Sequence, residues 1–219
     1  NEDRHLVDSD HACFAIADGI GGLPYGERAS ECAIRCLVRE LARLDAPPAR
    51  PLDQVVAACH QAVRQLGAVL SPRTGIGTTF TALRIRQTVA TLAHVGDSTA
   101  FLHPGRARPL RRLTTDHTVP VPAISIPGLT ATPFAAPPRL DRYLGQATPP
   151  ECDLVSVPVA PGDRLILCSD GVTRALAADE LATLSEAQSS PAALARALVH
   201  IADLRGGLDN ATAVVIDLT

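Results

Sequence analysis

The chain has 219 residues, 46% of them apolar and 3% aromatic, and a net charge of −3. That length and apolar share suit one globular domain with a sizeable core and exclude a disordered chain. The weak negative charge and scarce rings argue against nucleic acid as a partner, and no apolar run approaches membrane-spanning length, so no membrane is expected either.

In chain order, residues 12–17 alternate and predict a strand. Residues 27–44 carry Ala29, Cys32, Cys36, Leu37, Leu41 and Leu44 at helical spacing. Pro47, Pro48 and Pro51 break the chain, and a second amphipathic helix is predicted at about 52–70, closed by a Ser71-Pro72 turn. Strands follow at 78–86, 88–95 and 98–103, joined as hairpins. Residues 118–138 are proline-rich and unpatterned, which predicts a long loop of the functional kind. Strands are predicted at 152–157 and 163–169 around Pro161-Gly162-Asp163, helices at 178–186 and 191–204, and a last strand at 211–218. This order does not alternate strand with helix, so the prediction is an antiparallel α+β domain and not a doubly wound parallel sheet.

Acidic residues recur at the strand ends. Asp18 ends "CFAIAD" beside Gly19, Gly21 and Gly22. Asp97 lies in "HVGDS", Asp170 in "LILCSDG", and Asp209 in "LDNATAVVI"; Glu2 and Asp3 precede the first predicted strand. Taken singly, each is as well read as a turn cap. Taken together, they are carboxylates whose mutual repulsion a divalent cation would relieve, and an all-oxygen set suits Mg²⁺ or Mn²⁺. No histidine cluster accompanies them, which argues against zinc.

The segments "NEDR", "ADGIGGLPYGERAS", "GTTFTAL", "HVGDSTAFL", "LTTDHT", "RYLG", "LILCSDGV" and "DNATAVVI" resemble, in order and over nearly the whole chain, the metal-dependent protein Ser/Thr phosphatases of type 2C, bacterial type. The resemblance implies a single catalytic domain over 1–219, built as a four-layer α/β/β/α sandwich with two antiparallel sheets. It implies two tightly bound Mn²⁺ or Mg²⁺ ions: Asp18 bridging them, Gly19 offering its carbonyl, Asp170 and Asp209 on the first ion, and Glu2 and Asp3 orienting waters at the second. A third, weaker ion would be held by Asp97 with Asp170. The implied reaction is hydrolysis of phosphoserine or phosphothreonine on proteins by a water activated between the ions, with no phospho-enzyme; Asp18, Asp3 and Glu2 form the catalytic set.

Two departures from the family pattern stand out. Ile20 occupies the position where animal members carry a leaving-group histidine. The family's phosphate-gripping Arg would precede Asn1, so no substrate-binding residue is named, and the family's first strand is expected to be missing with it. Arg4 is read as a surface residue. The proline-rich loop at 117–139 corresponds to the family's flap, and its sequence names no target. Phosphorylated proteins, a cognate Ser/Thr kinase and a monomeric state are the implied partners and assembly. The chain contains no Met, so the sequence is read as lacking its true N-terminus. All 20 basic residues are Arg, which points to a GC-rich, bacterial coding sequence. Six cysteines without Cys-x-x-Cys spacing are read as buried thiols in a reducing cytoplasm.

Two rival readings follow from the same residues. Cys168 and Arg174 in "CSDGVTR" have the spacing of a thiolate phosphatase, but Asp170 would repel phosphate inside that cradle. The other rival is a weak or inactive pseudophosphatase that binds phosphoproteins or a kinase; retention of Asp18, Asp170 and Asp209 argues against it. His60 beside Cys59 is read as a packing or surface residue and not as a catalytic dyad.

Overall fold

The computed structural model describes residues 1–45, 51–105, 108–121 and 138–219. Two strands, β1 (Arg4–Asp8) and β2 (Cys13–Ala17), precede two helices, α1 (Gly26–Asp45) and α2 (Leu52–Leu70). Then come β3 (Phe80–Arg86), β4 (Val89–Val95), β5 (Thr99–His103) and three two-residue strands, β6 (Arg111–Arg112), β7 (Thr118–Val119) and β8 (Arg139–Leu140). The remainder is β9 (Asp153–Pro158), β10 (Arg164–Cys168), α3 (Asp170–Ala175), α4 (Ala178–Ala187), α5 (Pro191–Leu204) and β11 (Ala213–Asp217).

One sheet has the order β1-β2-β3-β4-β9 and the other β11-β10-β5-β6, with every pairing antiparallel. The central strands are buried on both faces, because side chains alternate across a strand and each face meets its own layer. In β2, Cys13, Ala15 and Ala17 pack with Ala29, Leu37, Val55 and Val63 of α1 and α2. Phe14 and Ile16 point the other way, into the layer between the sheets, where they meet Leu92, Leu102, Leu165 and Leu167. In β10, Ile166 and Cys168 turn outward onto Val172, Leu181, Leu194 and Leu198 of α3, α4 and α5. Three apolar layers therefore separate four structural layers, helices outside and sheets inside, as the resemblance implied.

Alternation alone finds strands that face solvent on one side. It placed β2 here because small and large apolar residues happen to alternate. The structure adds β1, which falls outside the predicted strands: its exposed His5 and Val7 leave only Leu6 packed against the core, a weak apolar signal. It also adds α3, six residues long, too short to show a helical period. Of the predicted loop at 118–138, residues 118–121 and 138 are described: β7 falls in it, and β8 starts just past its end. Residues 122–137 lie outside the described residues, as do Pro47 and Pro48.

The pairing registers bring one set of strand ends together. Arg4 pairs with Ala17, Ile16 with Thr81, and Phe80 with Val95 in the first sheet. Cys168 pairs with both Thr99 and Ala213 in the second. The residues just beyond these pairs are Asp3, Asp18, Thr79, Gly96-Asp97, Ser98, Ser169-Asp170 and Thr212.

Candidate metal centre

Asp18 leaves β2 fixed through its backbone. Its N–H donates to Thr79 Oγ1 (3.0 Å), and its carbonyl accepts from Thr79 N (2.8 Å) and Thr78 Oγ1 (2.9 Å). Thr79 Oγ1 also bonds Ser98 Oγ at 2.9 Å, which ties the end of β2 to the start of β5 across the sandwich. Next in sequence, Gly19 lies against the backbone of Gly26: a Cβ at Gly19 would stand 2.4 Å from the Gly26 carbonyl carbon. The requirement at Gly19 is thus for close backbone approach at the entrance to α1.

The second sheet delivers its acids by a similar contact. Asp170 opens α3 directly after β10 and Ser169. A Cβ at Gly171 would fall 2.2 Å from the Asn210 carbonyl oxygen, so glycine lets the "SDG" and "LDN" turns touch. Ser169 joins the two turns to the N-terminal segment: its Oγ donates to Asp3 Oδ2 (2.8 Å) and accepts from Thr212 N (2.9 Å). Asn210 Oδ1 accepts from Glu2 N at 2.7 Å.

The seven candidate residues therefore converge, with a division among them. Asp18, Gly19, Asp97, Asp170 and Asp209 line one cavity of about 910 Å³. Asp3 is buried beside Asp18, and its Oδ2 accepts from Ser169 Oγ. Glu2 stands to one side, its carboxylate against Gly21 and Gly26. Around the acids the cavity wall is mixed, with apolar Ile20, Leu23, Leu140 and Tyr143 beside polar Arg139, Asp141, Gln146 and Thr148. Arg4, half-buried, does not line the cavity; it donates to the carbonyls of Asn1 (3.0 Å) and Asp3 (2.7 Å).

The electrostatics are those of crowded carboxylates. Burial pushes Asp18 far above the ordinary carboxylate range, and the charges of Asp3 and Asp170 push it further. Asp170 is raised by burial and then by Asp97, and Asp97 and Asp3 are raised chiefly by burial. Asp3 Oδ1 and Asp170 Oδ1 are buried and, among the described residues, meet no hydrogen-bond donor. Buried oxygens without donors, held beside other carboxylates, are the pattern a hard divalent cation satisfies. Among the described residues no three His, Cys, Asp or Glu side chains stand as a finished cation cage. Asp18 is turned toward Asp3, and Arg174 Nη2 and Nη1 pair with Asp170 Oδ2 (2.7 Å) and Asp209 Oδ2 (3.2 Å). The donor chemistry fits Mn²⁺ or Mg²⁺; the side chains are gathered but not closed.

Thiolate chemistry does not fit. Cys168 is fully buried on β10, facing α3–α5, and burial pushes its thiol up to about 12. His60 accepts the Gly145 N–H at Nδ1 (3.2 Å) and is a packing residue, as read from the sequence. Sequence reasoning gave no role to Thr79, Ser98, Ser169 or Asn210, although "HVGDS", "SDG" and "DNAT" each place a hydroxyl or amide beside a candidate acid; Thr79 has no acid near it in sequence.

A family model described as Protein phosphatase 2C matches residues 1–202. Protein phosphatase PhpP of Streptococcus pneumoniae is 30% identical over 210 residues, covering 93% of this chain and 84% of its own. The serine/threonine phosphatase PstP/Ppp of Mycobacterium tuberculosis superposes with a TM-score of 0.79 at 28% identity, covering 100% of this chain and 92% of that one. A solved catalytic domain of PstP in complex with 2 manganese ions superposes at 0.77 with 27% identity, covering 99% and 91%.

Proposed function

The chain belongs to the protein phosphatase 2C family, and from that premise we infer that its acidic cavity is the site where phosphate is removed from protein phosphoserine and phosphothreonine. The enzyme is a metal-dependent protein Ser/Thr phosphatase working with two Mn²⁺ or Mg²⁺ ions. In our assignment Asp18, Asp170, Asp209 and the Gly19 carbonyl would hold the ions, with Glu2 and Asp3 orienting water beside them. When bound, the ions lower the pKa of water and draw off phosphoryl charge. The observation that carries this assignment is the convergence of acids from both sheets with donor-less buried oxygens on Asp3 and Asp170.

The protein's own part is placement. Thr79 and Ser98 fix the backbone of Asp18 across the two sheets, and Ser169 fixes the Asp3 carboxylate, so the acids leave anchored points and have only their side chains to close around the ions. Ile20, Leu23, Leu140 and Tyr143 give the phosphorylated side chain an apolar wall and keep loose water from the acids. Ile20 has no ionisable proton to donate, so the leaving alkoxide takes its proton from solvent ordered by Glu2 and Asp3.

A Ser/Thr kinase of matching residue class must make the substrate, and it is the partner this reading implies, with signalling as the setting. The free thiols of Cys32, Cys36, Cys59, Cys152 and Cys168 suit a reducing compartment, and the cytoplasm is the proposed location. No helix among the described residues is long and apolar enough to cross a membrane. A single domain acting as a monomer is the proposed unit.

The test is release of phosphate from a phosphothreonine peptide. Mn²⁺ is expected to support turnover, EDTA to abolish it and iodoacetamide to spare it. Asp18→Asn and Asp170→Asn are each expected to lower Mn²⁺-dependent turnover about 100-fold or more, equal to ~2.7 kcal/mol of transition-state stabilisation. Wild-type rates in either folded variant would refute the assignment.

A further inference from the structure

The resemblance implied a third ion on Asp97 and Asp170, and the structure puts a guanidinium on part of that ground. Arg174 reaches back along α3 to Asp170 Oδ2 at 2.7 Å, and its other nitrogen meets Asp209 Oδ2 at 3.2 Å. It lines the same cavity as Asp97, and its charge is the main influence holding the Asp97 carboxyl down against burial. The two oxygens of Asp170 are thereby divided. Oδ1 is buried with no hydrogen-bond donor, whereas Oδ2 is engaged by Arg174.

We infer that Arg174 is a built-in substitute for the third ion, leaving Asp170 Oδ1 to the two-ion centre and closing the Asp97–Asp170 pair to any further cation. A divalent ion shared by Asp97 and Asp170 would need the oxygen that Arg174 holds, and it would stand against a fixed positive charge. The guanidinium supplies that charge from the chain itself, in the fork geometry that suits carboxylate oxygens, and it cannot be deprotonated or diluted away. Sequence sets this up: Asp170 and Arg174 are four residues apart on one helix, the spacing that brings side chains together on a helical face. Such an enzyme keeps its cation count fixed as free Mn²⁺ rises. This inference rests on the two-ion reading of the site.

The test counts ions directly. Equilibrium dialysis against Mn²⁺, with bound metal read by electron paramagnetic resonance, is expected to give two ions per wild-type chain. Arg174→Ala and Arg174→Gln are each expected to bind three, and the double variant Arg174→Ala/Asp97→Asn to return to two. Circular dichroism verifies that each variant is folded. Three ions in the wild type, an unchanged count in whichever single variant folds, or a third ion that survives loss of Asp97 would overturn the role given to Arg174. A wild-type chain that binds no Mn²⁺ would instead bring down the two-ion reading, and this inference with it. Were Arg174 a substrate-phosphate contact only, both single variants would raise KM without gaining an ion, which also counts against the proposal.

Discussion

Thr79 shows how much of the site depends on uncharged neighbours. Its hydroxyl takes the Asp18 N–H and shares a hydrogen bond with Ser98, so one side chain couples the backbone of Asp18 to both sheets. Thr79→Val keeps the shape and removes the hydroxyl, leaving two buried groups short of a partner. It is expected to cost about 1–3 kcal/mol in urea unfolding and to lower turnover while Mn²⁺ dependence remains. The carboxylates themselves were legible because an acid ending an apolar strand is conspicuous. Thr79 and Ser169 were not, because hydroxyls are common at strand ends and only the fold reveals which ones face an acid.

At the scale of elements, β3 and β4 carry a buried histidine at a paired position. His94 faces Thr81 across the ladder, accepts from its hydroxyl at Nδ1 (2.9 Å) and donates from Nε2 to the Thr115 carbonyl (3.1 Å). Burial first, and then the neighbouring His117, lowers its pKa from 6.5 to about 4. The imidazole is therefore neutral in the fold. Its contribution is complete above pH 6.5 and is lost as the pH falls from there toward 4, by up to about 3 kcal/mol at 1.36 kcal/mol per unit. His94→Gln is expected to flatten the change in melting temperature over that interval relative to wild type. At the far end of β10, Arg164 forks onto Asp217 of β11 and donates to the Ser185 and Gln188 carbonyls at the end of α4 (2.7 and 2.9 Å). Arg164→Ala strips a buried partner from all of them and is expected to cost about 3 kcal/mol in chemical denaturation. Helix and strand bounds for α2 and α5 were readable from apolar spacing and proline. β1 was not, because an edge strand with one packed residue carries little pattern, and neither was α3, which is shorter than two turns.

For the molecule as a whole, the acids set a conflict that cations resolve. Asp18, Asp3, Asp97 and Asp170 all have raised values in the fold. A raised carboxyl contributes stability that is complete below its unfolded value and is lost as pH rises through the folded one. EDTA-treated protein is thus expected to melt at lower temperature at pH 8.5 than at pH 7.5, an interval in which His94 is neutral in the fold and almost wholly neutral in the unfolded chain. Mn²⁺ at about 100 times its dissociation constant should add about 2.7 kcal/mol and remove that trend; a calorimetric scan with and without the ion decides it. The layered architecture followed from the order of elements and the resemblance, while the way both sheets present their acids at one end depended on register, which no local pattern encodes. That arrangement has an engineering corollary. The β3–β4 and β9–β10 connections, at Gln87-Thr88 and Val159–Asp163, sit at the opposite pole, the length of a strand away, which is about 16 Å or more for strands of this size. A fluorescent reporter or an immobilising tether grafted there would ride on the chassis without touching the working end.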